Sequence, residues 1–127
     1  MKVLIVEDEK LVAKMYEKAL KLDDIDVSVA LGGAKGLEKV KNEKPDIVLL
    51  DIMMPEPDGM EVLTKIKADP ETTNIPVVML TNLSGKHDSE MAMEKGATDY
   101  WVKSEIKTLE LGKKIKAIIN ASTQKNQ

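Results

Sequence analysis

Five side chains in this 127-residue chain are of types that could do chemistry together. Each follows a short apolar run. Glu7 and Asp8 come after Val3–Val6, Asp51 after Ile47–Leu50, Thr81 after Pro76–Leu80, and Lys103 closes the segment Asp99–Lys103. Three carboxylates held close together repel, and their ionised form is costly without compensation. A hard divalent cation with oxygen ligands relieves that cost, and Mg²⁺ is commonly held by one or two carboxylates plus phosphate oxygens. Lys103 adds another positive charge, so the set is suited to receive a dianionic phosphoryl group. A carboxylate can be the nucleophile, giving an aspartyl phosphate. Such a transfer needs little beyond in-line positioning and charge neutralisation. Singly, each residue has an ordinary explanation. Acids favour helix starts, Asp51 or Thr81 could cap a turn or helix, and a lysine leaving a strand is usually just solvated. What singles them out is that all five fall at the same kind of position.

That position is defined by the elements around them. The chain alternates strand-like and helix-like segments. Lys2–Val6 is a short apolar run. Glu9–Leu22 carries Leu11, Val12, Met15, Ala19 and Leu20 or Leu22 at helical spacing. Ile25–Ala30 alternates like a strand, Gly32-Gly33 turns the chain, and Ala34–Asn42 reads as a helix stopped before Pro45. The unbroken Ile47–Leu50 reads as a strand buried on both faces of a parallel sheet. Pro55, Pro57 and Gly59 mark a loop before a helix over Met60–Lys67. Pro76–Leu80 is a fourth strand, Ser84 could cap a helix running to Lys95, and Gly96 suits its stop. Asp99–Lys103 is the fifth strand. Thr108 could cap a last helix with Leu111, Ile115, Ile118 and Ile119 facing inward, and Ala121–Gln127 reads as a polar tail or the start of a linker. Five β segments each followed by an α segment predict an α/β fold, a parallel sheet with helices on both faces. In such sheets ligands sit at the carboxyl ends of the strands. All five chemical residues are at those ends.

Composition removes other classes of function. There is no cysteine, which excludes disulfide scaffolds, thiolate metal sites and thiol nucleophiles. The longest wholly apolar stretches are four residues, too short to span a bilayer, and Glu7, Asp8 and Glu9 come too early for a secretory signal. A cytoplasmic protein is the expectation, and Met1 directly before the first strand reads as a complete N-terminus. Net charge is −3, which argues against a nucleic-acid-binding surface. Every basic residue is lysine, so phosphate recognition must use ammonium groups, backbone amides or a metal.

The motifs VLIVEDE (Val3–Glu9), DIVLLDIMMPEPDG (Asp46–Gly59), IPVVMLTN (Ile75–Asn82) and GATDYWVKS (Gly96–Ser104), in this order and spacing, make the chain resemble a receiver domain of the bacterial response-regulator family, with a likeness to its stand-alone chemotaxis type. The resemblance covers residues 1–120. It implies a flavodoxin-like, doubly wound (βα)5 three-layer sandwich with strand order 2-1-3-4-5. It also implies a phosphorelay function, in which a histidine kinase or histidine phosphotransfer protein donates a phosphoryl group to Asp51 with Mg²⁺ present. Asp8 then matches the direct metal ligand, Glu7 the neighbour acting through water, and the Met53 carbonyl the remaining protein ligand. Thr81 matches the switch hydroxyl, Lys103 the lysine that pairs with the phosphoryl group, and Tyr100 the aromatic whose rotamer follows the switch. A homodimer or effector would use the face of the fourth and fifth helical regions. By this resemblance the chain is a signalling domain that assists its own modification and turns over no small-molecule substrate in the usual sense.

Several positions depart from the family pattern. Ser104 stands where the family has a proline in a cis peptide, which leaves the Lys103–Ser104 geometry open. Asn82 is larger than the usual alanine or glycine after the switch residue. Met53 and Leu83 occupy the positions flanking the attacking water and cannot hydrogen-bond it, which implies slow self-hydrolysis. A haloacid-dehalogenase-type phosphatase would need an aspartate where Met53 stands. A flavodoxin-like cofactor binder would need a Gly-rich loop after the first strand. A receiver-like scaffold that works without phosphorylation is the remaining alternative. His87 reads as a surface residue. Met15, Met79, Met91 and Met93, with Met54, read as core filler. Trp101, one residue from Tyr100, should face the other side of its strand.

Overall fold

The computed structural model describes residues 1–125. Five strands, β1 (Lys2–Val6), β2 (Asp26–Ala30), β3 (Ile47–Leu50), β4 (Val77–Thr81) and β5 (Asp99–Val102), form one parallel sheet in the order β2-β1-β3-β4-β5. The helices between and after them are α1 (Lys10–Leu22), α2 (Gly33–Glu43), α3 (Gly59–Ala68), α4 (Lys86–Glu94) and α5 (Leu111–Lys125). The order reverses between β1 and β3, which places the switch point where their two carboxyl ends meet.

Central strands explain the sequence pattern. Every residue of β3 and β4 is buried, because each strand has a neighbour on both sides and helices on both faces. Alternate residues feed two cores. Leu4, Val6, Val48, Leu50 and Met79 pack with α2, α3 and α4, whereas Val3, Ile5, Leu49, Leu80 and Trp101 pack with α1 and α5. Tyr100 belongs with the first group and Trp101 with the second, as their alternation predicts.

Several local expectations need correction. In α1 the buried stripe is Ala13, Tyr16, Ala19 and Leu20, and Leu11, Met15 and Leu22 are exposed. Ala19 and Leu20 of the expected stripe are buried, while Ala13 and Tyr16 take the inward places expected of Leu11 and Met15. Met93 is likewise exposed and Met91 half-buried, whereas Met54 and Met79 are core residues. Ser84 caps nothing. The residue before α4 is Gly85, with no side-chain cap. Thr108 opens a 3-10 turn, Thr108–Glu110, that leads into α5. The helix continues through Ala121–Lys125, the start of the segment read as a tail; positions 126–127 lie outside the described residues. Gly96 has φ +104 after α4, a conformation that favours glycine at a helix end. Among the described residues no helix is long and apolar enough to cross a membrane.

Candidate functional site

The sheet ladder delivers the acids to one rim. The Glu7 amide donates to the Ala30 carbonyl at 3.1 Å, and the Asp51 amide to the Val6 carbonyl at 3.1 Å, so both side chains stand one residue past the last paired positions. Thr81 pairs with Val102 at the ends of β4 and β5, and Lys103 begins a 3-10 turn, Lys103–Glu105. A turn after β3 closes back on itself, with the Met54 and Gly59 amides both donating to the Ile52 carbonyl at 3.0 Å. Asp58 then caps α3, its carboxylate accepting from the Glu61 amide at 3.0 Å. Gly59 sits so close to the acceptor that a Cβ there would lie 2.1 Å from the Asp51 carbonyl oxygen.

Glu7, Asp8 and Asp51 each bring a carboxylate oxygen within 4.8 Å of the others. Glu7 and Asp51 are buried and Asp8 is exposed, so the cluster opens to solvent on one side only. The Lys103 ammonium donates to Asp51 Oδ2 at 3.0 Å and to Glu7 Oε1. Asp51 Oδ1 accepts from the Met53 amide at 3.3 Å. Burial pushes the Glu7 carboxyl above its ordinary value, the Lys103 hydrogen bond opposes this, and the Asp51 charge adds to it. Burial alone would pull the Lys103 ammonium down, but its hydrogen bonds to Glu7 and Asp51 and their charges outweigh this and raise it. One ammonium thus serves two buried carboxylates, with a third beside them. Hard oxygen donors crowded in this way fit a small divalent cation such as Mg²⁺.

Thr81 is fully buried, and its Oγ1 accepts from the Leu83 amide at 3.4 Å. The Tyr100 hydroxyl donates to the Leu83 carbonyl at 2.6 Å, tying β5 to the loop that follows Thr81. Met53, whose amide donates to Asp51, is 60% exposed, and Leu83 is half-buried against the core. Asn82 and His87 are exposed. Among the described residues the one cis peptide is Glu56–Pro57, so Lys103–Ser104 is trans. The structure therefore brings Glu7, Asp8, Asp51 and Lys103 together directly, with Thr81 on the same rim and Tyr100 reaching that rim through Leu83.

One residue at the site escapes sequence reasoning. Tyr16 lines a small chamber together with Glu7, Asp51 and Lys103. Its signal is the spacing Ala13, Tyr16, Ala19, Leu20, the stripe that a choice of Leu11 and Met15 as inward residues hides.

Comparison with known proteins agrees with this geometry. Residues 3–116 match the model of the response regulator receiver domain. Over 102 residues, 80% of this chain, it is 39% identical to the response regulator PleD of Caulobacter vibrioides, of whose length it spans 22%. The CheY-like receiver domain protein of Methanospirillum hungatei JF-1 superposes with TM-score 0.89 at 25% identity, covering 98% of this chain and 97% of that one. The BeF3-activated N-terminal receiver domain of Klebsiella pneumoniae RstA gives TM-score 0.84 at 32% identity, covering 94% and 98%. With the strand order, the acidic rim and the match over nearly the whole chain in agreement, this chain belongs to the response regulator receiver domain family.

Proposed function

We propose that Asp51 is the phosphoryl acceptor of a phosphorelay, taking the group from a phosphohistidine on a histidine kinase or phosphotransfer protein. One observation carries this reading: a buried carboxylate, Asp51, lies among two further carboxylates and a buried ammonium at the carboxyl ends of a parallel sheet. A carboxylate oxygen of Asp51 attacks phosphorus, the P–N bond to the donor imidazole breaks, and the imidazole leaves with that bond's electron pair. Glu7, Asp8, Asp51 and the Met53 carbonyl are the groups that would hold Mg²⁺, which when bound neutralises charge on the transferred oxygens. Lys103, fixed at 3.0 Å from Asp51, supplies the protein's own positive charge to the same oxygens.

Thr81 and Tyr100 are the switch. A phosphoryl group on Asp51 would draw the Thr81 hydroxyl and Lys103 toward it. Movement of Thr81 then bears on Leu83, which hydrogen-bonds both Thr81 and Tyr100. This biases an equilibrium on the face of α4 and α5, which an effector or a second copy of the chain would read. The activated state of the Klebsiella relative supports the reading, since beryllofluoride is a tetrahedral stand-in for a phosphoryl group.

The donor surface follows from exposure. Leu11, in the first turn of α1 just past Asp8 and Glu9, is 82% exposed and Met15 lies one turn on. An apolar stripe beside the acceptor suits a helical donor. Leu11→Asp is expected to slow phosphotransfer from a phosphohistidine protein at least about tenfold, equivalent to roughly 1.4 kcal/mol. The rate with acetyl phosphate, which needs no docking, should stay within about twofold. Equal slowing with both donors would remove α1 from the docking surface, and failure of both in the unaltered protein would refute the phosphorelay reading.

Met53 and Leu83 set the lifetime of the modified state. Neither can orient an attacking water, so hydrolysis of the aspartyl phosphate is slow. Met53→Asn supplies a hydrogen-bonding group at the exposed mouth and is expected to shorten the phosphate half-life about tenfold. An unchanged decay, followed by intact mass over time, would contradict this.

A further inference from the structure

At one margin of the sheet, β2 pairs with β1 alone. The Asp26 amide donates to the Met1 carbonyl at 3.2 Å, and the Ala30 carbonyl accepts from the Glu7 amide at 3.1 Å. Residues 26, 28 and 30 therefore turn their backbone groups toward β1, and Val27 and Val29 turn theirs to the open side. The Val27 and Val29 side chains pack against the core under α1 and α5, so the strand is firmly seated. Unpaired N–H and C=O groups on a seated edge strand form a template for a further strand.

Lys39 of α2 reaches over that open side. Its ammonium donates to the Val29 carbonyl at 2.7 Å and to the Ser28 hydroxyl at 3.3 Å. The Ser28 hydroxyl donates in turn to Glu43 Oε2 at 3.3 Å, and the Lys2 ammonium pairs with Glu43 Oε1 at 2.7 Å. Lys39 and Glu43 are four residues apart, so they share one face of α2. Lys39, Ser28 and Glu43 are all half-buried, and the hydrogen bond from Lys2 holds the Glu43 carboxyl below its ordinary value. An ordinary surface lysine donates to water. This one is tied in place and spends a donor on one of the two outward carbonyls that a pairing strand would need.

We propose that Lys39 guards the β2 edge, its ammonium closing the Val29 carbonyl to strand pairing with a second copy of this chain. A copy arriving by the same edge brings its own Lys39. Pairing would then take both ammonium groups from their carbonyls and bring like charges together. The polar chain through Ser28, Glu43 and Lys2 keeps the lysine over the edge. This concerns assembly and does not depend on the function proposed above.

Lys39→Ala removes the ammonium, and sedimentation equilibrium of the full chain without metal or phosphodonor reads self-association. Its association constant should rise at least about tenfold over the unaltered protein, with Lys39→Arg staying near the parent. Hydrogen exchange locates the contact. The Val27 and Val29 amides, which face the open edge, should exchange more slowly as the Lys39→Ala concentration rises. Val27→Pro removes an outward donor and no bond to β1, so in the Lys39→Ala background it should restore the parent's association. Circular dichroism checks the fold of each variant, and if Val27→Pro does not fold, amide exchange alone decides. Unchanged association in Lys39→Ala would overturn the proposal. So would association that leaves the Val27 and Val29 amides exchanging freely, or that persists in the folded double variant, because it would run through another surface.

Discussion

Lys103→Met is expected to lower the rate of Asp51 phosphorylation by acetyl phosphate about 10²- to 10³-fold, the usual loss when one preorganised electrostatic group is removed from a reacting centre. The same substitution should tighten Mg²⁺ binding by about tenfold, because the ammonium and a cation compete for Glu7 and for the charge of Asp51. These opposite signs separate an electrostatic role from a general loss of structure, which would weaken both. Stability has its own signature. Without Lys103, Glu7 and Asp51 face each other as buried carboxylates, and breaking a buried pair on one side costs about 3–5 kcal/mol. Burial raises the Glu7 carboxyl above its ordinary value, and loss of Lys103 removes the hydrogen bond that opposes this, so the penalty is fully present at neutral pH. It shrinks as pH falls and Glu7 takes a proton. Urea midpoints at pH 7 and pH 5 check the sign: the gap between variant and parent narrows at the lower pH. A gap that widens on acidification would show that the two carboxylates do not depend on Lys103.

Gly59→Ala is the second large effect and acts through the backbone. The new Cβ would meet the Asp51 carbonyl oxygen at 2.1 Å and the Ile52 Cα at 2.6 Å, and neither is a flexible side-chain end that can swing away. Either α3 or the acceptor loop must shift. The expected cost is about 3 kcal/mol, at the upper end of overpacking, with a fall in thermal midpoint of roughly 10 °C. Because the atoms displaced belong to Asp51 and Ile52, phosphorylation should also slow at temperatures where the variant is folded. Gly85→Ala is the matched control. The nearest atom to its added Cβ is the Asp88 carboxylate at 3.4 Å, and stability should change by no more than about 0.5 kcal/mol. Similar losses at Gly59 and Gly85 would mean that contact with the acceptor loop is not what requires glycine at position 59.

The parts of this fold legible in the sequence are those where one physical demand dominates. The unbroken apolar run Ile47–Leu50 reads as a strand covered on both faces, and it is one. Once five strands are parallel, the residues after them must share a rim. Hence Glu7 and Lys103, separated by 96 positions, could be placed together before any distance was known. Leu111 and Ile115 are inward for the same reason of spacing. Where two demands compete, spacing alone fails. Of the expected inward residues of α1, Ala19 and Leu20 are buried and Val12 packs on the core, but Leu11, Met15 and Leu22, at equally good spacing, face outward, and Ala13 and Tyr16 are buried instead. Which face of α1 meets the sheet is set by tertiary packing, which no local pattern carries. Ser84 has good capping chemistry but α4 starts two residues beyond it. Polar composition at Ala121–Lys125 suggested a tail, yet α5 continues there. The Lys103–Ser104 peptide is trans, which the sequence left open.

The most direct test of the central claim is the intact mass of the protein after incubation with acetyl phosphate, with and without Mg²⁺, alongside Asp51→Asn. The account predicts one added phosphoryl group that appears only when both Mg²⁺ and Asp51 are present, together with binding of a beryllofluoride mimic under the same conditions. No adduct on the folded protein, with the mimic also failing to bind, would contradict it and leave a receiver fold that works without phosphorylation.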